Sequence, residues 1–585
     1  MLTRMPNFLV LFLLIPQLIF SQEEIFPLKD IRRGLKGEWR TVIAGNKIES
    51  FELRILGVQK NFAGPRRPVI IAEALDDKNK TSGPVAGMSG SPVYIDGKLV
   101  GAYAYGFMMA KEQAIIGITP IKQMLEVVDN YGPKPVTNGS ASIPSSNTDE
   151  EVVEQPLSEK VLPFLQPLPT PLFVSGFSEK TLKHFSTELE SSGLQLMAAP
   201  SAGEATTDNL IDPPLIPGAP VAGVFMDGDF SIAGVGTISW KEGNRLLGFG
   251  HPFLQEGAVA IPMAGAEILT VVQSIQRSFK LSNVGKIKGT IYQDRLTAIA
   301  GEIGMETPRT ELTIRIAPQD RPAYTLKSNV AHHSRLTPNF IAMALAEALS
   351  DSMNTEAEQS FQIESKLHIP NYEPLIYRDS GASTSAIFKA AFSLRGAYGQ
   401  IINNPYETPR IPKVEIDVKI RNTEDYSILK KISLRSTNRP RGGQIAKLGL
   451  ELAHHKRPNE LRLLEIPVPE GYSGDRLVLW VGDAASADDI DLPSKGDITS
   501  LDDIITRLRY RRDNSKLHIK FLKASRGLNL NGEILPELPP SVYEVYQSNT
   551  RGEIISTINM TTVWETQIPV EGAFQGSFSY PLDIR

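Results

Sequence analysis

The segment Gly87-Met88-Ser89-Gly90-Ser91-Pro92 constrains this chain most, because it opens a β-hairpin and not a helix. Pro92-Val93-Tyr94-Ile95 and Lys98-Leu99-Val100-Gly101-Ala102-Tyr103 are apolar, β-branched or aromatic runs separated by Asp96-Gly97, a strong two-residue hairpin signal. Ser89 therefore sits on a tight loop entering a strand. A nucleophile elbow of the α/β-hydrolase kind needs glycine two residues to either side of the serine and a helix behind it. Here Ser91 stands two residues after Ser89 and strand pattern follows, which excludes that class. The better match is a chymotrypsin-like loop, in which Ser89 is the nucleophile and the backbone N–H groups of Gly87 and Ser89 face an oxyanion. Without further context the same residues would serve as a plain Gly/Ser turn capping a hairpin.

A serine hydroxyl is a weak nucleophile at neutral pH unless a base takes its proton. The chain has 8 histidines. His184 falls in a surface helix pattern, and His332-His333 and His454-His455 are doublets in polar, exposed-looking surroundings. His368 and His518 occupy alternating positions of strand patterns. His251 differs: it lies in Gly248-Phe249-Gly250-His251-Pro252-Phe253, directly after a second hairpin made of Val235 to Trp240, a Glu242-Gly243-Asn244 turn and Arg245-Leu246-Leu247. The preceding glycines free the backbone to present an imidazole at a strand end.

Together the Ser89 and His251 segments resemble the SpoIVB-type serine peptidases, family 55 of the serine peptidases. The resemblance implies Ser89 as nucleophile and His251 as base. It runs over about residues 28 to 316 and includes Ser274, Gly289-Thr290-Ile291 and Gly301-Glu302-Ile303-Gly304. Two departures stand out. Here the serine-bearing half precedes the histidine-bearing half, the reverse of the sporulation enzymes, and Pro252 follows His251 where the family has an aliphatic residue or glycine. Because a triad is defined by geometry, chain order does not decide activity. No segment resembles the PDZ domain that those enzymes carry.

The third triad member is expected to be Asp294, on the strand pattern Gln293 to Ile299 in the same half as His251. Glu73, Asp76, Asp77 and Glu267 are the other carboxylates in contention. The resemblance points to an aspartate shortly before the serine, but the aligned position holds Ala74. The Asp76-Asp77-Lys78-Asn79-Lys80 run reads as a solvated loop.

With 585 residues and a net charge of −5, the chain is long enough for several domains and shows no basic face suited to a phosphate backbone. Arg507, Arg509, Arg511 and Arg512 read as a solvated helix end. Residues 1–21 have the form of a signal peptide: Arg4, the apolar run Phe8 to Phe20, then Ser21 as the small residue near the cleavage point. That run is broken by Pro16 and Gln17 and is shorter than the roughly 20 residues a spanning helix needs. The chain has 0 cysteines, which removes disulfides, thiolate metal sites and a cysteine nucleophile together. No metal-ligand spacing and no cofactor motif is evident.

The expected fold class is mostly β: a chymotrypsin-like double β-barrel with swapped half order, followed by β-sandwich-like C-terminal modules with a few helices. The expected divisions are a signal peptide (1–21), the Ser-bearing barrel half (22–132), a flexible linker (133–160) and a small α/β unit with its connection (161–219). The His-bearing barrel half (220–316), a β-rich module (317–490) and a helix-plus-β module (491–585) follow. A single six-stranded barrel split between the two halves would also place Ser89 and His251 on facing rims. Within the C-terminal half, 360 to 490 reads as the sandwich. The helix opened by Ser500 and Asp503 is expected to dock on the final strands. The resulting expectation is a periplasmic or secreted serine endopeptidase acting on protein or peptide, with its own Pro133 to Lys160 linker as a first substrate. It would use no cofactor and no metal, bind no nucleic acid, keep no transmembrane span after signal cleavage, and meet a cell-envelope partner through its C-terminal half. The alternatives are an inactive peptidase-like binding module and an envelope scaffold.

Overall fold

The computed structural model describes residues 23–585 apart from 108–113, 134–164, 169, 192–193, 199–210, 275–277, 354–358, 383, 424, 437–438, 455–456, 492–497, 531–532, 536, 548–554 and 571. The signal-peptide expectation and nearly all of the linker lie outside the described residues.

Alternating burial along the first strands closes a barrel. Strands β1 (Lys36–Val42), β2 (Ile48–Gln59), β3 (Val69–Ala74), β4 (Ser91–Ile95), β5 (Lys98–Phe107) and β6 (Ile115–Pro120) pair antiparallel in the ring β4-β1-β2-β3-β6-β5, with β5 returning to β4. In β2, Phe51, Leu53 and Ile55 face inward while Glu52 and Arg54 face solvent, the two-residue period of a half-buried strand. The β4–β5 turn is the expected one: Asp96 at φ 50° and Gly97 at φ 75° supply the two left-handed residues of a type I′ hairpin. Trp39, Leu53, Ile55, Ile70, Val93 and Ile118 fill the interior.

A second closed ring follows. Strands β7 (Pro220–Gly228), β8 (Ser231–Glu242), β9 (Arg245–Gly248), β10 (Gly257–Val272), β11 (Ser278–Arg295) and β12 (Ala298–Ile303) pair in the order β8-β9-β12-β11-β10-β7, and β7 closes on β8. Each half is thus a six-stranded barrel in its own right, not part of one shared barrel. Strands make up 52% of the described residues. The helix Ile121–Asn130 joins the barrels. Its Ile121, Met124, Val127 and Val128 share one face and pack with Tyr94 and Leu99 of the first barrel and Trp240, Leu247 and Tyr292 of the second.

The C-terminal half departs from the expected boundaries. Arg309–Pro318 and Tyr324–Ala331 extend the second barrel's sheet, through the pairing of Met226 with Val330. Arg309–Pro318 then pairs in parallel with Lys413–Arg421, which adds Ser360–His368 and Leu375–Ala382. Helices Leu336–Ser352 and Thr384–Ile402 cover this sheet in a core continuous with the second barrel. Val414, Ile416, Val418 and Ile420 alternate with charged residues along this strand, but a buried face does not name its neighbour. The sandwich lies instead in 426–584, where Leu429, Leu448 and Leu450 of one sheet face Leu477, Leu479, Ile519 and Phe521 of the other.

The helix Leu501–Arg509 is capped as expected, with Ser500 Oγ accepting from the Asp503 N–H. However, its Leu501, Ile504 and Ile505 join the core of the helix-covered sheet, not the final strands. The arginines after it are not a free charged end. Arg512 pairs with Asp488, Asp491 and Glu565, and the Arg511 guanidinium lies 4.8 Å from the centre of the Tyr377 ring. Among the described residues no helix is long and apolar enough to cross a membrane.

Candidate active site

The Ser89 loop spans the two barrels. Val85–Ala86, just before it, pairs in parallel with Ser278 and Phe279 of β11, and Ser91, just after it, begins β4. Three carbonyls of the loop are held by the second barrel. Thr237 Oγ1 donates to Gly87 O at 2.9 Å, Thr237 N to Ser89 O at 2.8 Å, and Ser239 Oγ to Gly90 O at 2.7 Å.

The His251 loop is held in the reciprocal way. Thr119 Oγ1, at the end of β6, donates to Gly250 O at 2.5 Å, and a Cβ at Gly250 would stand 3.0 Å from those of Ala102 and Ala104 on β5. Phe249 and Phe253 anchor the loop on both sides of the histidine. Their rings occupy space left by glycines: a Cβ at Gly236 would lie 2.2 Å from Phe249, and one at Gly234 would lie 2.4 Å from Phe253. Small residues on one strand face here accommodate the two aromatic anchors.

The two loops touch at Gly90. Its φ is 97°, and a Cβ there would fall 1.9 Å from Thr237 O and 2.4 Å from Phe249 N. Both neighbours are backbone, which cannot swing aside. Gly90→Ala is therefore expected to destabilise the protein by about 2–4 kcal/mol, combining left-handed strain with a backbone clash. A denaturant midpoint equal to wild type would show that the loops do not meet in this way.

Ser89 is 0% exposed and His251 2% exposed. Ser89 Oγ and His251 Nε2 are both buried without a hydrogen-bond partner, so they are not bonded to each other. Buried polar atoms are normally satisfied, and two orphans on interlocked loops require a reason. His251 Nδ1 lies 2.7 Å from Pro252 O. Because a carbonyl only accepts, that contact puts the proton on Nδ1 and leaves Nε2 as the lone-pair nitrogen. Burial lowers the imidazole pKa to about 4, against the opposing effect of the Pro252 carbonyl.

The carboxylate positions differ from expectation. Asp294, 0% exposed at the end of β11, accepts from the N–H groups of Phe253 at 2.7 Å, Leu254 at 2.5 Å and Gln255 at 2.8 Å. Burial pushes its carboxyl pKa up while these donors pull it down. It thus anchors the turn after His251, and the acceptor position at Nδ1 is taken by Pro252 O. Arg295, which could have competed for Asp294, donates to Gln293 and lies over Tyr131. Glu73 is engaged by Arg54 at 2.6 Å, and Asp77 opens the short helix Asp77–Ser82 where the sequence read as a loop. Glu267 sits on β10 opposite Asn283.

The other histidines have separate surroundings. His184 stacks on Phe388, and His368 contacts Glu415. His518 is buried in its strand at 4% exposed. The His332-His333 pair is not exposed: His333 is 7% exposed and faces Glu256 at 2.6 Å, while burial lowers the pKa of His332 to about 4. His454 is half-buried against Ser427 and Glu460, and His455 lies outside the described residues.

Sequence reading missed Thr119, Thr237 and the two phenylalanines. The alternate glycines Gly234 and Gly236, on one face of β8, were the available signal for the aromatic anchors. Among the described residues no group of three His, Asp or Glu could hold a metal ion.

No curated protein and no solved structure matches the chain. Residues 20–125, the segment holding the Ser89 loop and all six strands of the first barrel, match the family model of the SpoIVB peptidase S55. The match stops short of His251, so it spans less of the chain than the resemblance read from the sequence. Over this segment, which carries Ser89, the chain is similar to the SpoIVB S55 peptidase family.

Proposed function

We propose that this protein is a serine endopeptidase, exported to the periplasm or secreted, with Ser89 as nucleophile and His251 as general base. The observation that carries this reading is the pair of buried, unpartnered atoms, Ser89 Oγ and His251 Nε2, on loops that the opposite barrels hold together. Ser89 Oγ attacks the scissile carbonyl, His251 Nε2 accepts its proton and returns it to the leaving amine, and the backbone N–H groups of Gly87 and Ser89 hold the oxyanion. Pro252 O keeps the imidazole in the competent tautomer, and Asp294 fixes the turn that carries it. The segment from Pro133 to Lys160, rich in Pro, Ser, Asn, Thr and Glu, is the proposed first substrate.

The depressed imidazole pKa gives this reading a pH signature. Nε2 must be unprotonated to act as base, so the acid limb of activity appears only as pH falls through the folded-state value of His251. With that value at about 4, hydrolysis of a quenched-fluorescent unfolded protein is expected to hold from pH 6 to 5 and to reach half its plateau near pH 4. An acid limb near the ordinary histidine value of about 6.5 would show that His251 is solvated or is not the base. Equal hydrolysis by wild type and Ser89→Ala would remove the assignment altogether.

A second reading, a peptidase-like protein-binding module, draws on the complete burial of Ser89. It predicts no reaction of the folded chain with serine-directed probes. The C-terminal sandwich is the part of the molecule proposed to meet an envelope partner.

A further inference from the structure

Lys280 lies directly beneath the Ser89 loop and has no role in the mechanism above. It sits on β11 with 0% exposure. Its alkyl stem underlies Gly87, where a Cβ would meet the lysine Cβ at 3.2 Å and Cδ at 3.3 Å. Its Nζ donates to Thr41 Oγ1 of β1 at 2.7 Å and to Thr237 Oγ1 of β8 at 3.4 Å. Thr237 Oγ1 in turn donates to Gly87 O at 2.9 Å. A chain of donors therefore runs from a buried ammonium, through one hydroxyl, to the carbonyl at the start of the serine turn.

The chemistry fixes its direction. An ammonium has donors only, so Thr237 Oγ1 must accept from it and spend its own proton on Gly87. Among the described residues no carboxylate and no second cation faces Nζ from the packed elements. The neighbours are Thr41 on β1, Thr237 on β8, Val271 opposite on β10, and Gly87. Burial alone accounts for the lowering of the lysine pKa to about 7. Retaining an uncompensated cation in a barrel core costs stability, and an apolar residue of similar length would fill the space more favourably.

We propose that Lys280 is a positioning residue for the Ser89 loop, holding the Gly87 carbonyl through Thr237 so that the turn presenting Ser89 and its N–H groups keeps one orientation. This rests on the peptidase reading for its purpose, but the positioning itself can be measured apart from activity.

The experiment compares wild type, Lys280→Met, Thr237→Val and the double variant by hydrogen–deuterium exchange of the peptide covering 85–91. The same samples are assayed for the rate of Ser89 labelling by a fluorophosphonate from pH 5 to 9. Each single variant is expected to raise exchange in 85–91 and to slow labelling by about 10- to 100-fold, and the double variant to be no worse than either, because one chain is cut in both. Lys280→Met should melt no lower than wild type. Wild-type labelling should decline as pH rises through 7, and that alkaline decline should be missing from Lys280→Met. Unchanged exchange in 85–91, additive losses in the double variant, or an identical alkaline limb in Lys280→Met would overturn the proposal. A wild type that never labels refutes the peptidase reading, while exchange at 85–91 still decides whether Lys280 positions the loop.

Discussion

Ser89→Ala and His251→Ala are each expected to lower peptide hydrolysis by about 10⁴- to 10⁶-fold, and the double variant to be scarcely worse than either. The non-additivity follows from the shared step: without the base the hydroxyl is not activated, and without the hydroxyl the base has nothing to deprotonate. Neither change should unfold the protein. Ser89 Oγ and His251 Nε2 have no partners to lose, so Ser89→Ala removes a buried polar atom that nothing satisfies, and its thermal midpoint should equal or exceed that of wild type. Turnover is the quantity to compare, at a temperature well below both midpoints. A loss of only a few-fold in either variant would place the chemistry elsewhere.

Asp294→Ala is expected to be the most damaging change away from the reacting atoms. The carboxylate accepts three backbone N–H groups from the turn after His251, and removing it strands all three. That turn is partly open to solvent, so water replaces some of the lost bonds, and the cost is about 2–4 kcal/mol in chemical denaturation. Activity should fall further than stability, by about 10²-fold or more, because the imbalance appears at the imidazole. Asp294→Asn separates the two possible roles. As an anchor of the turn, the amide oxygen still accepts from part of the set, and activity should recover to within about tenfold of wild type. As an imidazole orienter, the amide would favour the wrong tautomer and cost about 10⁴-fold.

The contrast between these positions shows what was legible in the sequence. Local features were readable. Asp96-Gly97 fixes a hairpin through the left-handed residues that it supplies, and Gly-Phe-Gly before His251 signals a backbone turn at a strand end, where Phe249 and Gly250 indeed have φ of 68° and 71°. Long-range pairing was not readable. Nothing in the alternation of Lys413–Arg421 says that it runs parallel to Arg309–Pro318, and nothing in Thr237 says that it holds a loop far earlier in the chain. Asp294 was singled out as the carboxylate that orients His251, whereas its oxygens meet the backbone of the turn after it. Its donors, however, are backbone amides, which every residue but proline carries and which no residue type reveals. Lys280 was invisible for the opposite reason, since an isolated lysine in strand pattern reads as solvent-facing until the fold encloses it.

The most direct test is to treat the folded protein with a fluorophosphonate probe and map the modified residue by mass spectrometry, with His251→Ala alongside. An activated serine requires both halves of the site, so the label should sit on Ser89 in wild type and vanish in His251→Ala, although Ser89 is still present. Absence of label from the folded wild type, or label on Ser89 that persists without His251, would contradict a Ser89–His251 pair acting as one catalytic unit.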